Sequence, residues 1–154
     1  MPDRAESPTG ATEKCGVVGV SLADRDVARP IYYAMYALQH RGQESAGIAT
    51  HDGFQQHSHV ERGLVGDAID EAALEDLRGA AGIGHVRYPT SGGLNTCCAQ
   101  PFAVSFKSGS LGLAHNGNLV NTDELRTELE AAGHAFTSDG DTEVIAHELA
   151  RNLL

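Results

Sequence analysis

Hydrophobic and polar positions along the chain change period several times, and each change marks an element. From Cys15 to Leu22, "CGVVGVSL", apolar residues stand on both faces, which predicts a central strand, with glycines where backbone or a ligand approaches closely. In "ARPIYYAMYALQHRG", residues 28–42, the apolar Ile31, Ala34, Met35 and Leu38 recur at helical spacing. Pro30 is tolerated in a first turn, and Gly42 is placed to close the helix in the left-handed conformation. "AGIATHDGFQQHSHV" divides into two strand-like halves around Asp52-Gly53, the signal of a hairpin with a type I′ turn. "DEAALEDLRG" predicts a short helix running from an N-cap at Asp70 to a stop at Gly79.

The strand "AGIGHV" leads into a long irregular stretch, "RYPTSGGLNTCCAQP", and loops of that length in a compact domain tend to carry function. Two further strands, "FAVSF" and "SLGLAH", flank "KSGS", and the turn-forming "NGN" follows. A helix over "TDELRTELEAAG", an extended piece at Phe136 and a last helix, "DTEVIAHELARNLL", complete the pattern. Strands joined by hairpins predominate and helices are inserted between them, which gives an α+β or mixed α/β class with an antiparallel component and no internal repeat. The last helix runs to Leu154 without a stop signal, so a fragment of a longer domain is expected.

Composition narrows this picture. The 154 residues are 41% hydrophobic, enough for one domain with a sizeable core, and no apolar run approaches the roughly 18 residues of a membrane span. Residues 1–14, "MPDRAESPTGATEK", lack an apolar signal region and read as a disordered leader, so a cytoplasmic protein is expected. The formal charge is −10 with only two lysines, Lys14 and Lys107, which argues against nucleic acid and anionic membrane as partners. The same balance suits a very salty, halophilic cytoplasm, where counterions screen self-repulsion. Three cysteines, two of them the adjacent Cys97 and Cys98, form neither a disulfide framework nor a zinc spacing, so the pair reads as loop thiols of unassigned role.

Cys15 stands at the first position after the leader. A thiol titrates near 8.5 and an α-amino group at about 7.7 to 8.0, so a cysteine at a chain terminus carries its own general base and needs no histidine. Cleavage after Lys14 would create that terminus. A cysteine inside an apolar strand is otherwise packing material.

Six segments carry a resemblance. "CGVVGV", "YALQHRGQESAGIAT", "GIGHVRYPTSG", "AQPF", "LAHNGNLVN" and "DTEVIAHEL" occur in the order of the class II glutamine amidotransferases, which are N-terminal-nucleophile hydrolases. "ALQHRGQESAGI" with "HVRYPTSG" is similar to the glutamine phosphoribosylpyrophosphate amidotransferase branch. The resemblance implies a four-layer αββα sandwich over residues 15–154, incomplete at its C-terminus, after a removable propeptide, residues 1–14. It implies that Cys15 attacks the side-chain amide of L-glutamine, forming a γ-glutamyl thioester and releasing ammonia. It assigns Arg87 to the substrate's α-carboxylate, a task that suits a guanidinium fork. Asn116 and Gly117 would be the oxyanion donors, and Asp141 would receive the α-ammonium group. Where the family has "SDTEV" this chain has "SDGDTEV", so Asp139 competes with Asp141 for that role. Arg41 and Gly42 take a place beside the nucleophile by the same resemblance.

In the complete protein, ammonia would displace pyrophosphate from magnesium-bound phosphoribosyl pyrophosphate in a phosphoribosyltransferase domain, giving 5-phosphoribosylamine for purine synthesis in a homo-oligomer. That domain and its acidic binding loop are absent from this sequence. Some relatives hold an iron-sulfur cluster, which nothing in the residues supports. Of the eight histidines, His57 and His59 read as a solvated pair, and "HELAR" at 147–151 has Arg151 where a zinc-protease helix needs its second histidine. The rival readings are a glucosamine-6-phosphate or asparagine synthetase type of amidotransferase, and an inactive fragment or regulatory module.

Overall fold

The computed structural model describes residues 15–88, 99–106 and 109–153. The expectations for the leader, for Cys97 and Cys98 and for part of "KSGS" lie outside these residues. In chain order the elements are β1 (Gly16–Ser21), α1 (Ala28–Ala37), a 3-10 turn (Gln39–Arg41), β2 (Ser45–His51), β3 (Gln56–Arg62), α2 (Val65–Ala68), α3 (Glu71–Asp76), β4 (Ala81–Arg87), β5 (Phe102–Phe106), β6 (Gly109–Leu113), α4 (Thr122–Ala131) and α5 (Asp141–Leu153).

The strands form an antiparallel four-stranded sheet in the order β1-β4-β2-β3 and a two-stranded antiparallel sheet, β5-β6. Because side chains alternate, the larger sheet has two distinct faces. Val18, Val20, Ala46, Ile48 and Val86 point toward α1 and pack on Ile31 and Met35, forming the main hydrophobic core with Val65, Ile69 and Leu77. The other face looks at the small sheet, whose far side is covered by α5. Helix, sheet, sheet and helix thus make the four αββα layers expected from the resemblance.

Several local expectations change. β1 pairs only with β4 and is an edge strand among the described residues, with Val17 42% exposed; its apolar second face turns toward the space between the sheets. The hairpin after β2 pairs His51 with Gln56, leaving a four-residue loop in which only Gly53 has positive φ, +96°. A type I′ turn needs two such residues. Here the Asp52 carboxylate shapes the loop instead, accepting hydrogen bonds from the Phe54 and Gln55 amides at 2.8 Å each. Gly42 is extended, with φ −158° and ψ 130°, so it does not end α1 as a left-handed cap. It is required for space, because a Cβ there would lie 2.6 Å from the carbonyl carbon of Val86.

The histidines of β3 are not a solvated pair: His57 Nε2 is 3.0 Å from Asp52 Oδ2, and His59 Nε2 donates to Ala68 O at 2.8 Å. Among the described residues no helix is long and apolar enough to cross a membrane. A cleft of about 480 Å³ opens between the sheets, lined by Gly19, Ala49, Gly82 and Gly112 among others. It lies toward the β1 end remote from Cys15.

Candidate active site

Cys15 is half-buried and its thiol is free. It stands one residue before β1, and continuing the β1–β4 register from Gly16↔Val86 sets it opposite Arg87. Arg87 in turn faces Ser45 of β2. Cys15, Arg87 and Ser45 therefore form one row across the sheet, on the face turned toward the second sheet.

Two side chains distant in sequence converge on the Cys15 backbone. Arg41 Nε, from the 3-10 turn after α1, donates to Cys15 O at 2.9 Å. Asn116 Nδ2, from the segment leaving β6, donates to the same oxygen at 3.3 Å. The turn that delivers Arg41 is fixed by Gln39, whose Oε1 accepts from Val65 N at 2.6 Å and whose Nε2 donates to Gly42 O. Gly42 lies flat on β4, and this close approach brings the turn to the strand carrying Arg87.

Arg87 is itself anchored. Its Nε donates to Glu44 Oε2 at 3.1 Å, and the Glu44 amide donates to Arg87 O at 2.9 Å. Both side chains are mostly buried, 17% and 19% exposed, so the pair is better shielded than a surface salt bridge. Sequence reasoning missed Glu44, although it lies within the quoted segment "YALQHRGQESAGIAT".

Asn116 and Gly117 are exposed, as a substrate-facing segment requires. The preceding residue fixes their entry: His115 N donates to Gln100 Oε1 at 2.6 Å. A Cβ on Gly117 would stand 2.9 Å from His115 Nε2, so the glycine lets that ring fold back over the segment. Gln100 likewise had no assigned role, though "AQPF" belonged to the recurring motifs.

Asp141 opens α5, and its Oδ2 accepts from Leu119 N at 2.9 Å. Its Oδ1 is 3.7 Å from His115 Nδ1, beyond hydrogen-bond reach. Asp141 is thereby joined to the Asn116 segment, whereas Asp139 is exposed in the loop before the helix. That loop is held by Glu143, 1% exposed, which accepts from the amides and hydroxyls of both Thr137 and Ser138 at 2.6 to 2.9 Å. Burial opposes ionisation of Glu143, but these hydrogen bonds, Ser138's first, outweigh it and hold the carboxyl below its usual range.

One row beneath Cys15 and Arg87 lies His85, flanked in register by Val17 and Gly47. It is fully buried. Burial foremost, and then the charge of Arg87, push its imidazole down to about 4, so the ring is neutral at ordinary pH.

The arrangement offers a thiol at the head of a strand, an arginine opposite it, a guanidinium and an amide donor at its carbonyl and a carboxylate tied to the donor segment. Among the described residues no group of three or more potential ligands is placed to hold a metal.

The family described as a glutamine amidotransferase domain matches residues 69–152. The amidophosphoribosyltransferase of Methanocaldococcus jannaschii is 53% identical over 141 residues, which cover 91% of this chain and 30% of that protein. For the amidophosphoribosyltransferase of Methanothermobacter thermautotrophicus the identity is 51% over 141 residues, covering 90% and 30%. The solved glutamine phosphoribosylpyrophosphate amidotransferase from B. subtilis, complexed with ADP and GMP, matches with a TM-score of 0.77 and 40% identity over 88% of this chain and 29% of that one. The chain spans about 30% of the length of the curated relatives it matches. With the family match covering more than half the chain and the fold shared with a solved relative, the chain belongs to the glutamine amidotransferase domain family.

Proposed function

We propose that residues 15–154 are the glutaminase portion of an amidophosphoribosyltransferase and that residues 1–14 are a propeptide. The observation that carries this reading is the convergence of Arg41 and Asn116 on the carbonyl of Cys15, directly opposite Arg87. Residues far apart in the chain meet at the one thiol that cleavage would place at a terminus.

In the proposed reaction, hydrolysis of the Lys14–Cys15 bond frees an amine that takes the thiol proton. Sγ attacks the side-chain amide carbon of glutamine, and the oxygen that gains charge is received by Asn116 Nδ2 and the Gly117 amide. Collapse expels ammonia with the transferred proton and leaves a thioester. Water then cleaves the thioester, giving glutamate and restoring the thiol. Arg87 would bind the α-carboxylate and Asp141 the α-ammonium group. Because Arg87 already shares its charge with Glu44, the glutamine carboxylate joins a paired guanidinium, which fixes orientation at some cost in affinity.

The product ammonia would serve a phosphoribosyltransferase segment of a longer protein, with phosphoribosyl pyrophosphate and magnesium bound there. Names of relatives support this acceptor, and the identities of about 50% over nine-tenths of the chain favour it over other amidotransferase acceptors.

The test is glutamine-dependent ammonia release, with intact mass measured on the same sample. Loss of the first fourteen residues, turnover, and labelling of Cys15 by a glutamine-like electrophile are expected. Full turnover by Cys15→Ala, or by protein with residue 14 still attached to residue 15, would refute the mechanism.

A further inference from the structure

We propose that Ser45, His85 and His115 enclose an ordered water that ties the strand of Arg87 to the Asn116–Gly117 segment, and that His85 is a positioning residue for that segment. The structural claim is independent of the proposed activity; only the catalytic task of the segment rests on that reading.

Among the buried polar atoms with no hydrogen-bond partner, four belong to this region: Ser45 Oγ and both ring nitrogens of His85, on buried side chains, and Nδ1 of the partly exposed His115. Ser45 is 3% exposed and His85 is 0%. Buried polar groups in folded proteins are nearly all satisfied, by protein or by bound water, so an adjacent set of orphans calls for a common partner.

The register makes these groups neighbours. Ser45 faces Arg87, and Gly47 faces His85, so Ser45 and His85 are diagonal neighbours on one sheet face. Gln100 O and Pro101 lie over Gly47, bringing the layer that holds His115 N down on the same spot. The backbone of His115 faces a His85 ring nitrogen as a hydrogen-bonding group, although no full hydrogen bond closes between them, and the His115 ring acts on the imidazole electrostatically.

The chemistry of the orphans selects the ligand. A neutral imidazole offers one N–H and one acceptor nitrogen, and a serine hydroxyl offers one of each. Water matches such a mixed set, whereas an anion would need donors alone. The 3.7 Å separation of His115 Nδ1 from Asp141 Oδ1 is also a spacing at which water mediates a polar contact. The consequence is mechanical: the water holds His115, and His115 immediately precedes the asparagine that grips the Cys15 carbonyl.

The 154-residue chain tests this by crystallography at a resolution that shows ordered solvent, together with NMR of the Asn116 side-chain amide. The wild type should show a water within hydrogen-bonding distance of a His85 ring nitrogen and of Ser45 Oγ. His85→Leu should lose that water and speed hydrogen exchange at Asn116 Nδ2 about tenfold through local loosening. His85→Gln, which retains a donor and an acceptor, should restore both. A dry site in the wild type overturns the proposal, as does unchanged Asn116 exchange in a folded His85→Leu. If His85→Leu does not fold, Ser45→Ala carries the test: faster Asn116 exchange supports the proposal and unchanged exchange overturns it.

Discussion

The fully buried His85 should impose a pH dependence on stability that one substitution removes. A free histidine titrates near 6.5, whereas burial and Arg87 hold this one at about 4. Between those values the unfolded chain binds a proton that the folded chain refuses, so stability falls as pH drops. Above pH 6.5 neither state is protonated and there is no cost; below pH 4 both are, and the loss is complete. The pKa difference corresponds to about 3 kcal/mol across that window. His85→Gln fills similar space, keeps hydrogen-bonding capacity and does not titrate. Urea unfolding of both proteins at intervals from pH 7.5 to 4 isolates the effect, because contributions of the other histidines and carboxylates cancel in the difference. The stability gap between variant and wild type should move in the variant's favour by about 3 kcal/mol on going from pH 7.5 to 4. A gap that stays constant over this range would show that His85 protonates freely in the folded protein, and the burial argument would fail.

Three further outcomes follow from the site geometry. Asp141→Ala should raise the glutamine KM far more than Asp139→Ala, and should also destabilise the chain by roughly 1.5–3 kcal/mol, because Leu119 N loses a charged acceptor. Equal KM effects in steady-state assays of ammonia release would remove Asp141 from the ammonium site. Gly42→Ala should lower the urea midpoint by an amount equivalent to about 1–3 kcal/mol, since the new methyl meets the backbone of Val86 and Arg87 at 2.6 to 2.7 Å; an unchanged midpoint would mean that the turn can lift away at no cost. Glu143→Ala should cost roughly 3 kcal/mol or more by leaving the Thr137 and Ser138 amides and hydroxyls without their acceptor. Calorimetry measures it, and a loss below about 1 kcal/mol would show that solvent replaces the carboxylate readily.

Elements with a strong local period were legible in the sequence. The apolar spacing of Ile31 and Met35 gives α1, and Asp70 is the N-cap it promised to be, accepting from Ala73 N at 2.8 Å. What escaped depends on other parts of the chain. The four residues of α2 are too few to show a period, and its start is set by Gln39, twenty-six residues earlier. The edge position of β1 among the described residues follows from strand order, which a local pattern does not encode. Gly42 read as a chain-reversing residue because glycine serves both left-handed turns and close approaches, and only the position of β4 distinguishes them. At the site, the recurring motifs identified Cys15, Arg87 and Asn116, and the structure brings these three together. Glu44 and Gln100 lay inside quoted motifs, but their partners Arg87 and His115 are far off in sequence, and the burial of His85 across elements leaves no local signal.

The same geometry bears on what cleavage after Lys14 would change. A newly made terminus ordinarily frays, because its backbone has lost the chain that held it. Cys15 is restrained from its C-terminal side: its carbonyl oxygen receives Arg41 and Asn116, and Gly16 is already in register with Val86. None of these contacts involves the leader. Removing residues 1–14 would therefore release an amine without releasing the thiol, and the new base would form beside a nucleophile whose backbone is already fixed. On this argument the strand supplies position and the cleavage supplies only the base, so the two can be separated experimentally: protein retaining the leader should keep the Arg41 and Asn116 contacts to Cys15 while lacking turnover.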